Sequence, residues 1–293
     1  MKALILSLVL AGVTGSNASS VCARALPDSA ECDRACLKGM LDTYFAAMLK
    51  HDPSGLPLSP SLESTENGHP VELGEGIWKT AETVTFRLDA IDPEGGEAGA
   101  ESVIKDGSGL ALLLVRLKVR DLRILEVETM LPQKGSPLFG PDKLIAPPPM
   151  YLESVPAADR ATREQLAGTA DLYFTALQTE GTSGYKAAPL AADANRFENG
   201  IQTTNVPFDL FHKPAATTQQ QMDEAWFKGW VVTDRRYPVL DEQHGIVLAI
   251  VLMQISPSQA VLPSEMFKVS GGKIRQVQAV LVDVPHDGPT GWN

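Results

Sequence analysis

Apolar side chains recur at helical spacing between Asp33 and Lys50, where Leu37, Leu41, Tyr44, Phe45 and Met48 share one face. The pattern predicts a helix that ends at His51-Asp52-Pro53, because proline cannot continue it. After Trp78 the period changes to two: Val84, Phe86, Leu88 and Ala90 alternate with Thr85, Arg87 and Asp89, as in a half-buried strand. The turn residues Asp92-Pro93-Glu94-Gly95-Gly96 close it. Two more strands are predicted near Leu110 to Val119 and Leu122 to Leu131, joined tightly at Arg120-Asp121. A second helix starts at the capping box Thr162-Arg163-Glu164-Gln165 and buries Leu166, Ala170, Tyr173, Phe174 and Leu177. Strands follow near Gly229 to Leu240, Gly245 to Ile255, Ser264 to Val269 and Lys273 to Val284. A helix followed by a curled antiparallel sheet, twice over, reads as an α+β fold.

The chain repeats itself. Pro57-Leu58 and Glu66-Asn67-Gly68 recur as Pro189-Leu190 and Glu198-Asn199-Gly200 at one offset, 132 positions (189 − 57 and 198 − 66). The helices share Tyr44-Phe45 and Tyr173-Phe174, and the last hairpins share Lys118, Val119, Ile124 and Val127 with Lys268, Val269, Ile274 and Val277. A repeat this long is one small domain duplicated, with internal pseudo-two-fold character. The predicted organisation is a signal peptide over 1–18, a first domain over 19–135, a Pro-rich connector over 136–160 and a second domain over 161–293. The offset grows to 150 at the last hairpin (274 − 124), so the second copy has gained 18 residues (150 − 132). Part of that gain is expected in the polar, aperiodic stretch Ile201 to Gln221, where a lid or partner-contact loop would fit.

At 293 residues the chain can bury two cores, and a formal net charge of −11 disfavours nucleic acid. Lys2, the short apolar run Ala3 to Val13, and small residues at Ser16 and Ala18 read as a secretory leader. No later run is long and apolar enough to span a bilayer, so a secreted or periplasmic protein without a membrane anchor is expected. The cysteines are Cys22, Cys32 and Cys36. An oxidising compartment favours a disulfide that staples the mature N-terminus, either Cys32–Cys36 or a pairing through Cys22.

The phrases Cys32-Asp33-Arg34-Ala35-Cys36-Leu37, Thr65-Glu66-Asn67-Gly68 and Arg196 to Asn205 resemble a poorly characterised secreted fungal and bacterial group. That group is similar to the nuclear transport factor two-like superfamily, which includes SnoaL-like cyclases, scytalone dehydratase and ketosteroid isomerase. The resemblance implies two tandem cones, each with helices on a bent antiparallel sheet around an apolar pocket. It also implies cofactor-free proton transfer by acids, histidines or tyrosines in such a pocket. No His/Asp pairing matches the dehydratase or cyclase catalytic sets.

The candidate chemistry follows from the repeat. Glu66 and Glu198 could serve as general acid or base if buried in an apolar pocket, whereas Asn-Gly turn chemistry accounts for the motif without catalysis. Arg196 stands where the first copy has Ser64 and could hold an anionic group, or simply pair with Glu198 or Asp193. Tyr44 and Tyr173 could polarise a carbonyl or pack as core residues. Trp78, Trp226, Asn199 and Asn205 are further ligand-binding candidates, and His212 in the inserted loop is the one histidine placed to join them. None of the five histidines has metal-ligand spacing, and no phosphate loop, nucleophile elbow or dinucleotide fingerprint is present. The sequence therefore predicts a cofactor-independent acid–base enzyme (isomerase, cyclase, dehydratase or lyase) for a hydrophobic small molecule, centred on the second copy. A binding protein for an apolar metabolite and a structural or interaction protein are the alternatives. The chain would act as a monomer with an internal pseudo-dimer, or as a homo-oligomer.

Overall fold

The computed structural model describes residues 31–136, 138–178, 188–208, 212–224 and 226–292. The leader and Cys22 lie outside them. In the first half, helix α1 (Arg34–Leu49) precedes β1 (Leu58–Glu66), β2 (His69–Pro70), β3 (Ala81–Asp92), β4 (Glu97–Asp106), β5 (Gly109–Arg120) and β6 (Arg123–Met130). A short helix α2 (Pro149–Leu152) lies in the connector. The second half comprises α3 (Arg163–Gln178), β7 (Leu190–Glu198), β8 (Ile201–Gln202), α4 (Thr218–Asp223), β9 (Val231–Asp241), β10 (Ile246–Ser256), β11 (Gln259–Ser270) and β12 (Lys273–Pro285).

Each half forms one six-stranded mixed sheet, in the orders β2-β1-β6-β5-β4-β3 and β8-β7-β12-β11-β10-β9. Position for position the order is the same. The parallel pairs are β1 with β6 and β7 with β12, and the remaining pairs are antiparallel. The strands pair over most of their length, so most of their backbone polar groups are satisfied within the sheets.

Both faces of each sheet are covered. Along β5, Ala111, Leu113, Val115 and Leu117 pack with Leu37, Leu41 and Tyr44 of α1. The intervening Leu112 and Leu114 meet Leu248 and Ile250 of the other sheet. In β10, Val247, Ala249 and Val251 face α3, while Ile246, Leu248 and Ile250 face the first half. The layers therefore run helix, sheet, sheet, helix. That stacking explains why Leu110-Ala111-Leu112-Leu113-Leu114-Val115 and Ile246-Val247-Leu248-Ala249-Ile250-Val251 are continuous apolar runs rather than alternations. The sheets approach closely at Gly99, where a Cβ would sit 2.8 Å from Leu248 Cδ2.

The fold class differs from the one expected. The chain does not form two nuclear transport factor two-like cones of helices on a bent antiparallel sheet. Two mixed sheets dominate it, and each carries one long helix. Two segments account for the difference. The segment 58–66 reads as a Pro- and Ser-rich connection yet forms β1, because it pairs with β6 in parallel from Leu58↔Ile124 to Glu66↔Thr129. The segment Glu97-Ala98-Gly99-Ala100-Glu101 carries no strand signal yet opens β4, whose residues are nearly all buried, so burial overrides its low strand propensity.

Contacts between the halves are reciprocal. Arg34 at the start of α1 grips Asp241 at the end of β9 (Nη1–Oδ2 3.0 Å), and Arg163 at the start of α3 grips Asp92 at the end of β3 (Nη2–Oδ2 2.8 Å). The same carboxylates accept backbone N–H bonds from Ile91 (3.1 Å) and Leu240 (3.0 Å) across the boundary. The exit segments cross as well. The connector packs Gly140 against the turn at Gly200, and the C-terminal segment packs Pro289 and Gly291 against the turn at Gly68. Cys32 and Cys36 form a disulfide that encloses Arg34. Among the described residues no helix is long and apolar enough to cross a membrane.

Candidate functional site

The repeated Glu-Asn-Gly is a tight turn built by its sequence. Asn67 and Asn199 have φ of 52° and 46°, and the following Gly68 and Gly200 have φ of 80° and 85°, which suits Asn-Gly. Each Asn side chain also acts as a surrogate peptide group. Asn67 Nδ2 donates to the Leu131 carbonyl (3.1 Å) while its Oδ1 accepts from Leu131 N (2.8 Å), and Asn199 makes the same pair with Leu281 (3.1 and 2.8 Å). These bonds tie β1 to the end of β6, and β7 to the neighbouring β12.

The acids before the turns differ in surroundings. Glu66 is raised above the ordinary carboxylate range by burial alone. Glu198 pairs with Arg196, Nε to Oε1 at 2.8 Å, and lines a cavity of about 540 Å³ in the second half. Of the other candidates, Tyr173, Arg196, Asn199 and Trp226 line the same cavity. Glu66, Tyr44 and Trp78 belong to the first half and are not brought together with them. Asn205 lies outside the lining and donates from Nδ2 to Ala194 O (3.1 Å) and Asn195 Oδ1 (2.8 Å). His212 is exposed with φ of 50°, although its neighbour Lys213 reaches the wall.

The cavity floor is polar. Arg196 donates from Nη1 to the Tyr173 hydroxyl (3.2 Å), from Nη2 to Gln221 Oε1 (2.6 Å) and from Nε to Thr203 Oγ1 (3.2 Å), and its guanidinium stacks over Phe227 at 5.0 Å. Because Tyr173 accepts from Arg196, its own proton is left to donate elsewhere. The Tyr173 hydroxyl is fully buried, and desolvation raises it well beyond the usual phenol range. Gln221 comes from α4 in the inserted stretch, where Thr217 and Gln220 form a capping box. The 18-residue gain thus supplies part of the site.

A second carboxyl completes the floor. Glu265, in the middle of β11 and 3 % exposed, lines the cavity with Oε2 buried and unpartnered. Burial pushes it up to about 8 against the opposing pull of Arg196, which favours the protonated form. Sequence reasoning missed it. The one available signal was a charged residue inside the apolar run Val261-Leu262-Pro263-Ser264-Glu265-Met266-Phe267, whose counterpart in the paired hairpin, 150 positions earlier, is Val115. The walls are apolar and aromatic: Phe208, Trp226, Phe227, Trp230, Met253 and Val261.

The first half keeps the scaffold without that chemistry. Tyr44 matches Tyr173 but accepts from Trp78 Nε1 (3.3 Å), and the buried Trp78 ring packs edge-on against it at 5.1 Å. Ser64 and Val115 replace Arg196 and Glu265. No cluster of His, Cys, Asp or Glu that could hold a metal occurs among the described residues.

Residues 159–281, most of the second half, match the family described as a domain of unknown function (DUF8021). No protein with a curated description matches the chain. Among solved structures the chain is similar to one titled "Crystal structure of a de novo designed protein with curved beta-sheet", with 17 % identity and a TM-score of 0.28, covering 34 % of this chain and 87 % of that one.

Proposed function

We propose that the second half is a cofactor-independent acid–base enzyme acting on a small, largely apolar molecule, in the isomerase, cyclase, dehydratase or lyase class. The observation that carries this reading is Glu265, a buried carboxyl with an unpartnered oxygen in an aromatic-walled cavity. A buried acid left without a partner is costly for stability and suited to proton transfer near neutral pH. Glu265 gives its proton to a ligand oxygen. Glu198, held by Arg196, is the carboxylate that receives a proton from carbon, and the Tyr173 hydroxyl donates to the developing oxyanion. A disulfide near the N-terminus supports the reading of an extracytoplasmic protein.

A second reading has its own observation. Arg196 already turns all three of its nitrogens to protein partners, Glu198, Tyr173, Thr203 and Gln221, as expected of a rigid binding site for a neutral metabolite. Incubating the pure protein with an extract of its native surroundings, followed by mass spectrometry of retained and transformed compounds, separates the two. Turnover that falls about 100- to 10,000-fold in Glu265→Gln is the expected result. Because Glu265 acts as the acid and Glu198 as the carboxylate, turnover should decline above about pH 8 as Glu265 loses its proton, and should fall again at acid pH as the base takes one up. Retention without transformation would support the binding protein, and full activity in Glu265→Gln would remove the assignment.

A further inference from the structure

The cavity has a second unpartnered polar group, and it comes from the other half's connector. Ser136 lines the wall, and its Oγ is buried without a hydrogen-bond partner. Neither Ser136 Oγ nor Glu265 Oε2 bonds to the other, so the two sit beyond hydrogen-bond reach within one enclosure. The connector is held on either side of Ser136. Lys134 pairs with Asp106 (2.7 Å), and Gly140 N donates to Asn199 O (2.9 Å) where Gly140 meets the turn at Gly200. An anchored hydroxyl buried in a cavity wall costs stability unless something bonds to it.

Resting on the reading of this cavity as a small-molecule site, we propose that Ser136 is its specificity determinant. It selects an apolar molecule with two separate oxygen functions, one read by Glu265 and Tyr173 at the floor and the other by Ser136. The first half's connector thereby becomes part of the second half's site.

The test is calorimetric binding of two matched probe pairs of different length: 2-acetylnaphthalene with 6-acetyl-2-naphthol, and 4-acetylbiphenyl with 4-acetyl-4′-hydroxybiphenyl. In the wild-type chain at least one hydroxy probe should bind about tenfold more tightly than its parent, the scale of one hydrogen bond to a buried polar group. Ser136→Ala should cancel that gain while leaving the parent ketone's affinity in place, and Ser136→Thr should retain it. If the ketones bind but neither hydroxy form gains, or the gain survives Ser136→Ala, the specificity role is overturned and the cavity reading stands. If no probe binds, the cavity reading fails and the specificity role with it.

Discussion

Glu101 places a heavy demand on the fold. It lies between the two sheets, 1 % exposed, with both carboxyl oxygens unpartnered among Leu88, Leu114 and their neighbours. Desolvation pushes it up to about 8, as it does Glu265. The consequence for stability has a definite sign. Below about pH 4.5 both folded and unfolded chains hold the proton, so no linkage penalty exists. Between about 4.5 and 8 the unfolded chain releases a proton that the folded chain retains, and stability falls as pH rises. Glu101→Leu should therefore stabilise the protein by roughly 1–4 kcal/mol. The advantage should be larger in urea unfolding at pH 8 than at pH 5. An advantage that does not grow with pH would show that Glu101 is not the group retaining the proton.

At the scale of elements, the turns after β1 and β7 show what the sequence discloses. Asn-Gly announced both turns, and the helices and most strands were legible from periodicity. The parallel pairing of β1 with β6 was not, because it depends on residues about 60 positions apart and on a Pro- and Ser-rich strand of weak propensity. The site was half legible. Arg196, Glu198, Tyr173 and Trp226 stood out by repeat or residue type, whereas Glu265 and Ser136 gain meaning only from what surrounds them. The glycines of the turns carry a second duty beyond positive φ. A Cβ at Gly200 would lie 2.3 Å from the Gly140 carbonyl oxygen, and one at Gly68 would lie 2.1 Å from that of Pro289. Gly200→Ala and Gly68→Ala should each lower stability by more than about 1 kcal/mol, since strain and displacement of an exit segment combine. Gly39, exposed within α1 with no atom beyond its chain neighbours and the local helix backbone within 4 Å of where a Cβ would stand, is the contrast. Gly39→Ala should stabilise by about 0.5–1 kcal/mol. Thermal or urea unfolding of the three variants measures both signs.

Across the whole molecule, the reciprocal Arg34–Asp241 and Arg163–Asp92 pairs join the halves. Burial alone would raise Asp241, but hydrogen bonds from His244 and Arg34 outweigh it and hold the carboxyl at about 2. This is a depressed acid, so its contribution is present above about pH 4 and is lost as pH falls through 2. Asp241→Asn should cost about 1–3 kcal/mol at pH 7, because the half-buried Arg34 loses its charged partner while keeping its bond to the Ile91 carbonyl. It should also weaken the acid sensitivity of unfolding. A variant as stable as wild type at pH 7 would show that the pair does not hold the halves together.

The crossed exit segments make each half a ligand of the other. Gly140 lies against the turn at Gly200, and Pro289 against the turn at Gly68, so each exit segment covers a turn of the opposite sheet. Mass action then carries information through the chain without any change of shape. A molecule that occupies the second half's cavity at 100 times its dissociation constant stabilises the folded state by about 2.7 kcal/mol. Because global opening is shared, the slowest-exchanging amides of the first half, in β4 and β5, should gain protection equal to those of β10 and β11. Hydrogen exchange with and without a bound probe measures this. The half that lacks Arg196 and Glu265 would then report on occupancy of a site in the other half.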